Sequence, residues 1–540
     1  MSFIYVTRGS YWFAVILYFV IFSASAQQYT VRVNPVTAGV NIPMSVKRAA
    51  QETVMNIFEN DSRFTVTEAN PSIEVYINIY GFRTKEYQMK DPAPVAGGQL
   101  PRMLSMKLTE ISWTVRFIET AGNRIISVRN YFQRSDSEIT QKEPWDKNPT
   151  TDVQNNFSTV ISEQVLQAFP IQFTVAKEGE RGSALLLTTD VHSRPLIGKK
   201  GKIYRAIKQT YNNGEAVRKV NVGEFSVREK LEGAKYSASI EDGKRDILEA
   251  LKNGEILLAE KGEVEESNIS RKSIAVIPFT SGIDTLGIHQ QNLAMNMVVE
   301  SFLENHQYTL LDHSAYSKSS VTDLSQDLDK IRKDKTIAAD YLLTGHIYTF
   351  GTAYHKNTGS FDVVKNGYYS TMKIGVKLID LETGAVVKDE FIESNQIDHH
   401  MQLPHMTDAT SSLQMALNSF VSRVNHMVLK GELLEVIQIT EAKSAKAQKI
   451  LIAGGTARGL ASTYAYGITE MIYPKVPFEI VQILEEEVDG KKLQRYERIG
   501  EAKVEDVEGP LFAQCKVTKG NEAVYTALQQ GAKLLCRALN

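Results

Sequence analysis

Three of the chain's ten histidines fall in one polar stretch, Asp398-His399-His400-Met401-Gln402-Leu403-Pro404-His405. Imidazoles beside a carboxylate are zinc or copper donors, but a strong site needs i,i+4 spacing on a helix or a paired Cys cluster, and neither is present. A solvated loop is expected, with His399 and His405 the first ligands to test for a metal, and no cofactor. Asp312-His313-Ser314 has the residue types of a catalytic triad. Consecutive residues at a strand end point to alternate sides, so they form no nucleophile-base-orienter chain. Ala453-Gly454-Gly455-Thr456-Ala457-Arg458-Gly459 lacks the Gly-Lys-Ser/Thr ending of a P-loop and the spacing of a dinucleotide fingerprint. Lys199-Lys200-Gly201-Lys202 reads as a basic surface turn, and Trp113 and Gly367-Tyr368-Tyr369 as core or interface aromatics. Cys515 and Cys536, the only cysteines, leave a disulfide and two buried free thiols both open. No constellation converges on catalysis, and the chain is expected not to be an enzyme.

At 540 residues the chain exceeds one core, and roughly three to four domains are expected. A formal charge of -2 supplies no basic field for nucleic acid. Arg8 precedes an apolar run, Tyr11 to Phe22, and then Ala24-Ser25-Ala26. The run is shorter than the roughly 20 residues of a spanning helix, and the small-x-small ending suits signal peptidase. Residues 1–26 are expected to be a cleaved signal peptide. With no Cys near the cleavage point, no lipid anchor is expected.

The elements that must carry these side chains form a pattern. Residues 27–173 read as an α/β domain. It starts with a strand at Tyr29–Val33 and a helical stripe of Val46, Ala50, Val54, Ile57 and Phe58. Strands follow at 63–66, 73–79, 111–118 and 124–128, the last two turning at Ala121-Gly122-Asn123, and a helix carries Phe157, Ile161, Val165, Leu166 and Phe169. Residues 174–262 show short strands with turns at Asn212-Asn213-Gly214 and Asp242-Gly243, the vocabulary of a small β-barrel or β-sandwich. A linker is expected over 263–272, a second α/β domain over 273–432 and a second small β-domain over 433–540.

Self-similarity supports that division. The text from Ile57 to Val66 parallels that from Phe302 to Leu310, and the hairpin at Gly122 parallels one at Gly384. A closing helix recurs with Leu413, Leu417, Phe420, Val421, Val424 and Val428 as its stripe. Gly223, Gly243 and Gly254 precede Gly500, Gly520 and Gly531 at one constant separation. In that register Cys515 and Cys536 stand where the earlier copy has Ala238 and Ala259, which favours packing roles. The fold class expected is α+β or α/β: a tandem duplication of an α/β domain with a mixed sheet and flanking helices, each copy followed by a small β-domain.

Ala275-Val276-Ile277-Pro278-Phe279, Leu310-Leu311-Asp312, the stretch Ala339 to Ile347 with its Leu343-Thr344-Gly345, and the hairpin Val376 to Val387 with Asp380-Leu381-Glu382-Thr383-Gly384 resemble the CsgG family. That family includes the curli production assembly and transport component of bacterial outer membranes, and its fold is shared with LpoB, FlgT and the N-terminal domain of TolB. The resemblance implies a periplasmic protein of a Gram-negative bacterium, peripheral to the outer membrane. It would have no catalytic residues, and would act by recognising other envelope proteins of secretion, adhesion or cell-wall machinery, or copies of itself. Two alternatives follow: a regulator of a peptidoglycan synthase in the manner of LpoB, and a subunit of a curli-type secretion channel. His313 stands where the family commonly has Arg. The segments 351–371 and 393–408 occupy the places of the channel's membrane hairpins. The second is too short and polar to cross a bilayer twice and the first lacks alternation, which argues against a pore.

Overall fold

The computed structural model describes residues 28–39, 42–90, 102–138, 149–177, 184–189, 196–211, 214–261, 271–283, 288–304, 307–313, 337–355, 367–398, 432–460, 477–488 and 491–539, with isolated helical positions between 417 and 429. The expected signal segment, His399, His405 and Ser314 lie outside them.

The first half begins with β1 (Tyr29–Val33), β2 (Thr37–Ala38), helix α1 (Met44–Glu59) and β3 (Phe64–Val66). Three long strands follow, β4 (Ile73–Lys90), β5 (Met103–Glu119) and β6 (Arg124–Glu138), and then α2 (Pro149–Ala168). β1 runs parallel between β3 and β4, and β4, β5 and β6 are antiparallel, giving the order β3-β1-β4-β5-β6. Alternation sends Val75, Ile77, Trp113, Val115 and Phe117 to one face, where they form a single core with Val46, Ala50, Val54 and Phe58 of α1 and Phe157, Ile161 and Val165 of α2. Trp113 is fully buried there, stacked on Tyr131 with ring centroids 4.5 Å apart, so it is a core residue.

The second half has the same plan. β13 (Lys272–Val276), β14 (Thr280–Ser281), a helix over Ile288–Leu303 and β15 (Tyr308–Asp312) precede β16 (Tyr341–His355), β17 (Gly367–Asp380) and β18 (Val386–Asp398), in the order β15-β13-β16-β17-β18. The ladders are interrupted at corresponding places. A bulge sits at Tyr80 in β4 and at Tyr348 in β16, and another at Ile126 in β6 and Val387 in β18. The β17–β18 turn is held by Asp380, whose Oδ1 accepts the Thr383 amide at 2.7 Å and its hydroxyl at 2.9 Å, with Gly384 at φ 75°. This gives the Asp-x-x-Thr-Gly signature a physical meaning as an Asx-type turn.

Between the halves, β15 meets β6 antiparallel at Leu311 and Arg124, so both join one 12-stranded sheet. β3 and β18 are its two ends among the described residues.

Two closed six-stranded barrels account for the rest. The first comprises β7 (Ile171–Lys177), β8 (Ala184–Thr188), β9 (Lys200–Tyr211), β10 (Gly214–Lys230), β11 (Lys235–Asp242), α3 (Lys244–Lys252) and β12 (Leu257–Lys261). The helix over Ile288–Leu303 is therefore α4. The second comprises β19 (Leu433–Lys443), β20 (Lys446–Ala453), β21 (Pro477–Val488), β22 (Lys491–Val507), β23 (Phe512–Lys519), α5 (Asn521–Gln529) and β24 (Leu534–Ala538). Numbered within each barrel, both close in the order first-second-fifth-fourth-third-sixth, with the helix between the fifth and sixth strands. Gly243 and Gly520 precede those helices at φ 70° and 75°. A Cβ at Gly243 would stand 1.9 Å from the Val222 carbonyl oxygen, and one at Gly520 2.0 Å from that of Ile499, so both positions require glycine.

Several expectations about extent change. The barrel alternative replaces the sandwich, and its first strand begins at Ile171, ahead of the expected boundary at 174, because Ile171 and Phe173 alternate into the barrel core. The sheet strands overrun the apolar stretches: β4 continues from Ile79 to Lys90, and β6 from Val128 to Glu138. β16 and β18 likewise run on, to His355 and Asp398, into segments expected to be insertions. Backbone ladders continue there with little apolar alternation in the sequence.

Candidate functional site

Among the described residues, the sheet face turned away from the helices is covered in the first half; in the second half it is buried around Ala275, Leu342 and Ile379 and exposed around Tyr348 and Phe391. In the first half the ladder row Asn78, Thr114 and Asn130 lies on that face, and Thr114 is only 1% exposed. Helix α4 of the second half supplies the cover. Asn296 Nδ2 donates to the Tyr80 hydroxyl at 3.1 Å, which itself donates to Thr114 Oγ1 at 2.6 Å. Glu300 Oε2 accepts Asn130 Nδ2 at 2.6 Å and the Asn130 amide at 3.1 Å. Arg129 Nη1 reaches Glu300 at 3.1 Å and Glu304 at 2.7 Å, and Arg116 pairs with Asp312 at 2.5 Å. Ile125 and Val128 of β6 join the buried cluster that holds Leu293, Met297 and Val298 of α4.

Charge at this junction is shaped by burial. Loss of water pushes the Glu300 carboxyl up to about 7, against the pull of Arg129. Burial works against the Arg129 charge too, but the Glu300 and Glu304 carboxylates outweigh it and raise its pKa. The Tyr80 hydroxyl is raised by burial, with bonds to Thr114, Asn296 and Asn78 working the other way.

In the second half the matching row is His346, Gly375 and Phe391, with the bulge residue Tyr348 beside it. Tyr348 is 46% exposed, Phe391 59% and Val386 51%. The rings form a small array: Tyr348 to Phe391 at 5.2 Å and His346 to Tyr348 at 4.7 Å, with the Lys373 ammonium 5.4 Å from the Phe391 ring centre. A Cβ at Gly375 would come within 3.0 Å of the Tyr348 ring, so glycine lets that ring lie flat across the strand. Lys377 takes the ladder place of Arg116. Around the rings the lysines are paired on the surface, Lys373 with Glu393 at 3.7 Å and Lys377 with Asp389 at 3.1 Å.

No protein-family model matches the chain, and no curated protein matches it. Solved structures similar to parts of it include the PelC dodecamer from Paraburkholderia phytofirmans, at 15% identity over 27% of this chain and 86% of that one, with a TM-score of 0.19. A lipoprotein from Neisseria meningitidis is 14% identical over 28% of this chain and 97% of that one, at a TM-score of 0.19. TolB from Acinetobacter baumannii is 11% identical over 48% of this chain and 62% of that one, at 0.17. These are partial likenesses of shape, and no role is assigned from them.

The other candidates are placed as structural parts. Asp312 is taken up by Arg116, and the His313 amide donates to the Val276 carbonyl at 3.0 Å. Burial lowers the pKa of the His313 ring, with Asp312 opposing. The glycine-rich loop is a close backbone approach: a Cβ at Gly455 would meet the Gly509 carbonyl at 2.2 Å. Lys199 is paired with Glu163 at 3.0 Å. Cys515 and Cys536 are free, fully buried thiols in the second barrel's core, and burial pushes Cys536 up to about 12. Ala238 and Ala259 are fully buried in the first barrel. Among the described residues no group of three or more His, Cys, Asp or Glu is gathered to hold a metal, and no helix is long and apolar enough to cross a membrane. Residues 367–369 begin β17.

Sequence reading missed the junction residues Arg129, Asn130 and Glu300 and the open pair Tyr348 and Phe391. One signal pointed to them: Tyr80 and Tyr348 occupy the same place in the two strand texts.

Proposed function

We propose that the chain is a tandem duplication of a CsgG-like α/β domain and a small barrel, exported and non-enzymatic, acting by protein recognition in the envelope of a Gram-negative bacterium. The matching strand orders, the bulges at Tyr80 and Tyr348, and the paired glycines Gly243 and Gly520 support the duplication. The observation that carries the function is the contrast between one sheet face filled by α4 and the corresponding face left open as Tyr348, Phe391 and Lys373. A photo-crosslinker placed at Phe391 in the native cell should give a discrete adduct, identifiable by mass spectrometry, in a periplasmic or outer-membrane fraction. A chain that retains residues 1–26 and stays in the cytosol would sink the envelope part, and absence of any adduct at Phe391 would sink the recognition part.

A channel is the second reading, favoured by the continuation of β16, β17 and β18 into both segments where membrane hairpins would lie. Heat-modifiable migration in outer-membrane fractions would support it, and recovery of the mature chain wholly in the soluble periplasm would end it.

A further inference from the structure

The two halves meet through unlike surfaces. The second contributes α4 and β15, and the first contributes the outer face of β4, β5 and β6. Such a contact is heterologous, and among the described residues it leaves one surface of each kind uncovered at the two ends of the chain. Helix α1 and β3 occupy the place of α4 and β15: Phe58 lies edge-on to Phe64 at 4.9 Å as Phe302 lies edge-on to Tyr308 at 5.6 Å. In that register Glu52 corresponds to Asn296, Asn56 to Glu300 and Glu68 to Asp312. Helix α1 is buried only along Val46, Ala50, Val54 and Phe58, while Glu52, Asn56 and Glu68 are exposed. At the far end stands the open face of Tyr348 and Phe391, with Lys377 in the place of Arg116 and Lys373 over the ring.

The barrels repeat the same direction independently. Arg218 of the β9–β10 hairpin holds Glu508 of the second barrel through both guanidinium Nε and Nη2, the latter at 2.9 Å, and Tyr211 lies edge-on to Phe512 at 5.7 Å. The corresponding β21–β22 hairpin carries Arg495 at the matching ladder place and an exposed Tyr496, and the corresponding loop of the first barrel exposes Glu232.

We infer that the open Tyr348–Phe391 face is filled by α1 and β3 of a second copy of this chain, repeating the operation that joins the two halves. Copies then add head to tail, closing as a ring or continuing as a filament. On the incoming side Glu68 comes opposite Lys377, as Asp312 meets Arg116 within the chain, and there it shares the lysine with Asp389, which lies 3.1 Å from it on the surface. The inference rests on the open face being a recognition surface, and adds what occupies it.

Sedimentation and native mass spectrometry of the purified full chain test this. The expected result is a series at multiples of the 60.4 kDa chain mass that extends past the dimer. Phe391→Asp should raise the concentration for half-assembly at least tenfold with an unchanged circular dichroism spectrum. Lys377→Glu should weaken assembly, and Glu68→Lys in the same chain should restore it, a rescue that misfolding cannot produce. Single chains at every concentration, a series stopping at two, or no rescue would overturn the inference. Should the Phe391 crosslink instead capture a different protein while the purified chain stays single, this inference fails and the recognition reading stands. With neither assembly nor adduct, both fall.

Discussion

Helices α1 and α4 hold corresponding places in the two halves and are buried to very different degrees. α1 packs one stripe against its own sheet, whereas every residue of α4 from Leu293 to Phe302 is buried, Asn296, Glu300 and Ser301 included. The difference is the neighbour: the outer face of β4 to β6 lies over α4, and among the described residues nothing lies over the outer side of α1. One helix position thus serves as a surface in the first half and as an internal joint in the second. Two of these polar residues reach across the joint, Asn296 donating to Tyr80 and Glu300 held by Arg129 and Asn130, while Ser301 donates to the Met297 carbonyl of its own helix.

The largest test of that contrast is truncation of the matched aromatics. Phe302→Ala and Phe58→Ala should each cost about 3–5 kcal/mol, the usual range for a buried Phe. The distribution should differ: Phe58→Ala should loosen the first half alone, while Phe302→Ala should speed hydrogen exchange in β6 as well as in the second half. Exchange confined to the second half in the Phe302 variant would show that α4 is not the joint.

Next comes Arg129→Ala. It strips Glu300 of its cation but leaves the two bonds from Asn130, so the expected loss is about 2–3 kcal/mol, towards the low end for breaking a buried pair. Denaturant unfolding of Arg129→Ala beside Lys377→Ala measures the contrast, since Lys377 makes only a surface pair with Asp389 and its loss should stay within about 0.5 kcal/mol. Equal losses would mean that the Arg129–Glu300 pair is no more buried than the Lys377–Asp389 pair on the open face.

The joint should also respond to pH through Glu300. Its folded-state value, about 7, lies above the ordinary 4.5, so the folded joint holds a proton that the unfolded chain releases. That contribution is complete below about pH 4.5 and is lost as pH rises through about 7. Hydrogen exchange along α4 should therefore quicken from pH 5 to 8, after correction for intrinsic rates, and Glu300→Gln should flatten the trend. Protection that increases over that window would reverse the assignment.

These contrasts also show what the sequence conceals. The matching plan of the two halves was legible because buried side chains and turns are constrained alike in both: Phe58 and Phe302, the turn ending at Asn123 and Gly384, and the glycines before α3 and α5. Strand lengths were not, since the sequence over 83–86 and 133–138 is polar while the backbone continues the ladder. The candidate surface was the least legible. Arg129 and Glu300 look in sequence like any solvated charges, and their partnership depends on a contact between halves about 170 residues apart. The open face was hidden for the opposite reason: Tyr348 and Phe391 sit in strands that read as core, and among the described residues no helix covers them.

The smallest expected effect on stability is at that face. Tyr348→Ser removes a ring whose contacts are Phe391 and His346 and whose other side meets solvent, so unfolding should shift by no more than about 0.5–1 kcal/mol. Tyr80→Phe in the covered face should cost about 1–2 kcal/mol, because Asn296 and Thr114 lose the hydroxyl between them. A serine at Tyr348 that destabilises the isolated chain as much as phenylalanine at Tyr80 would mean that the array supports the sheet. A neutral change in stability, paired with loss of association, assigns Tyr348 to contacts made outside the chain.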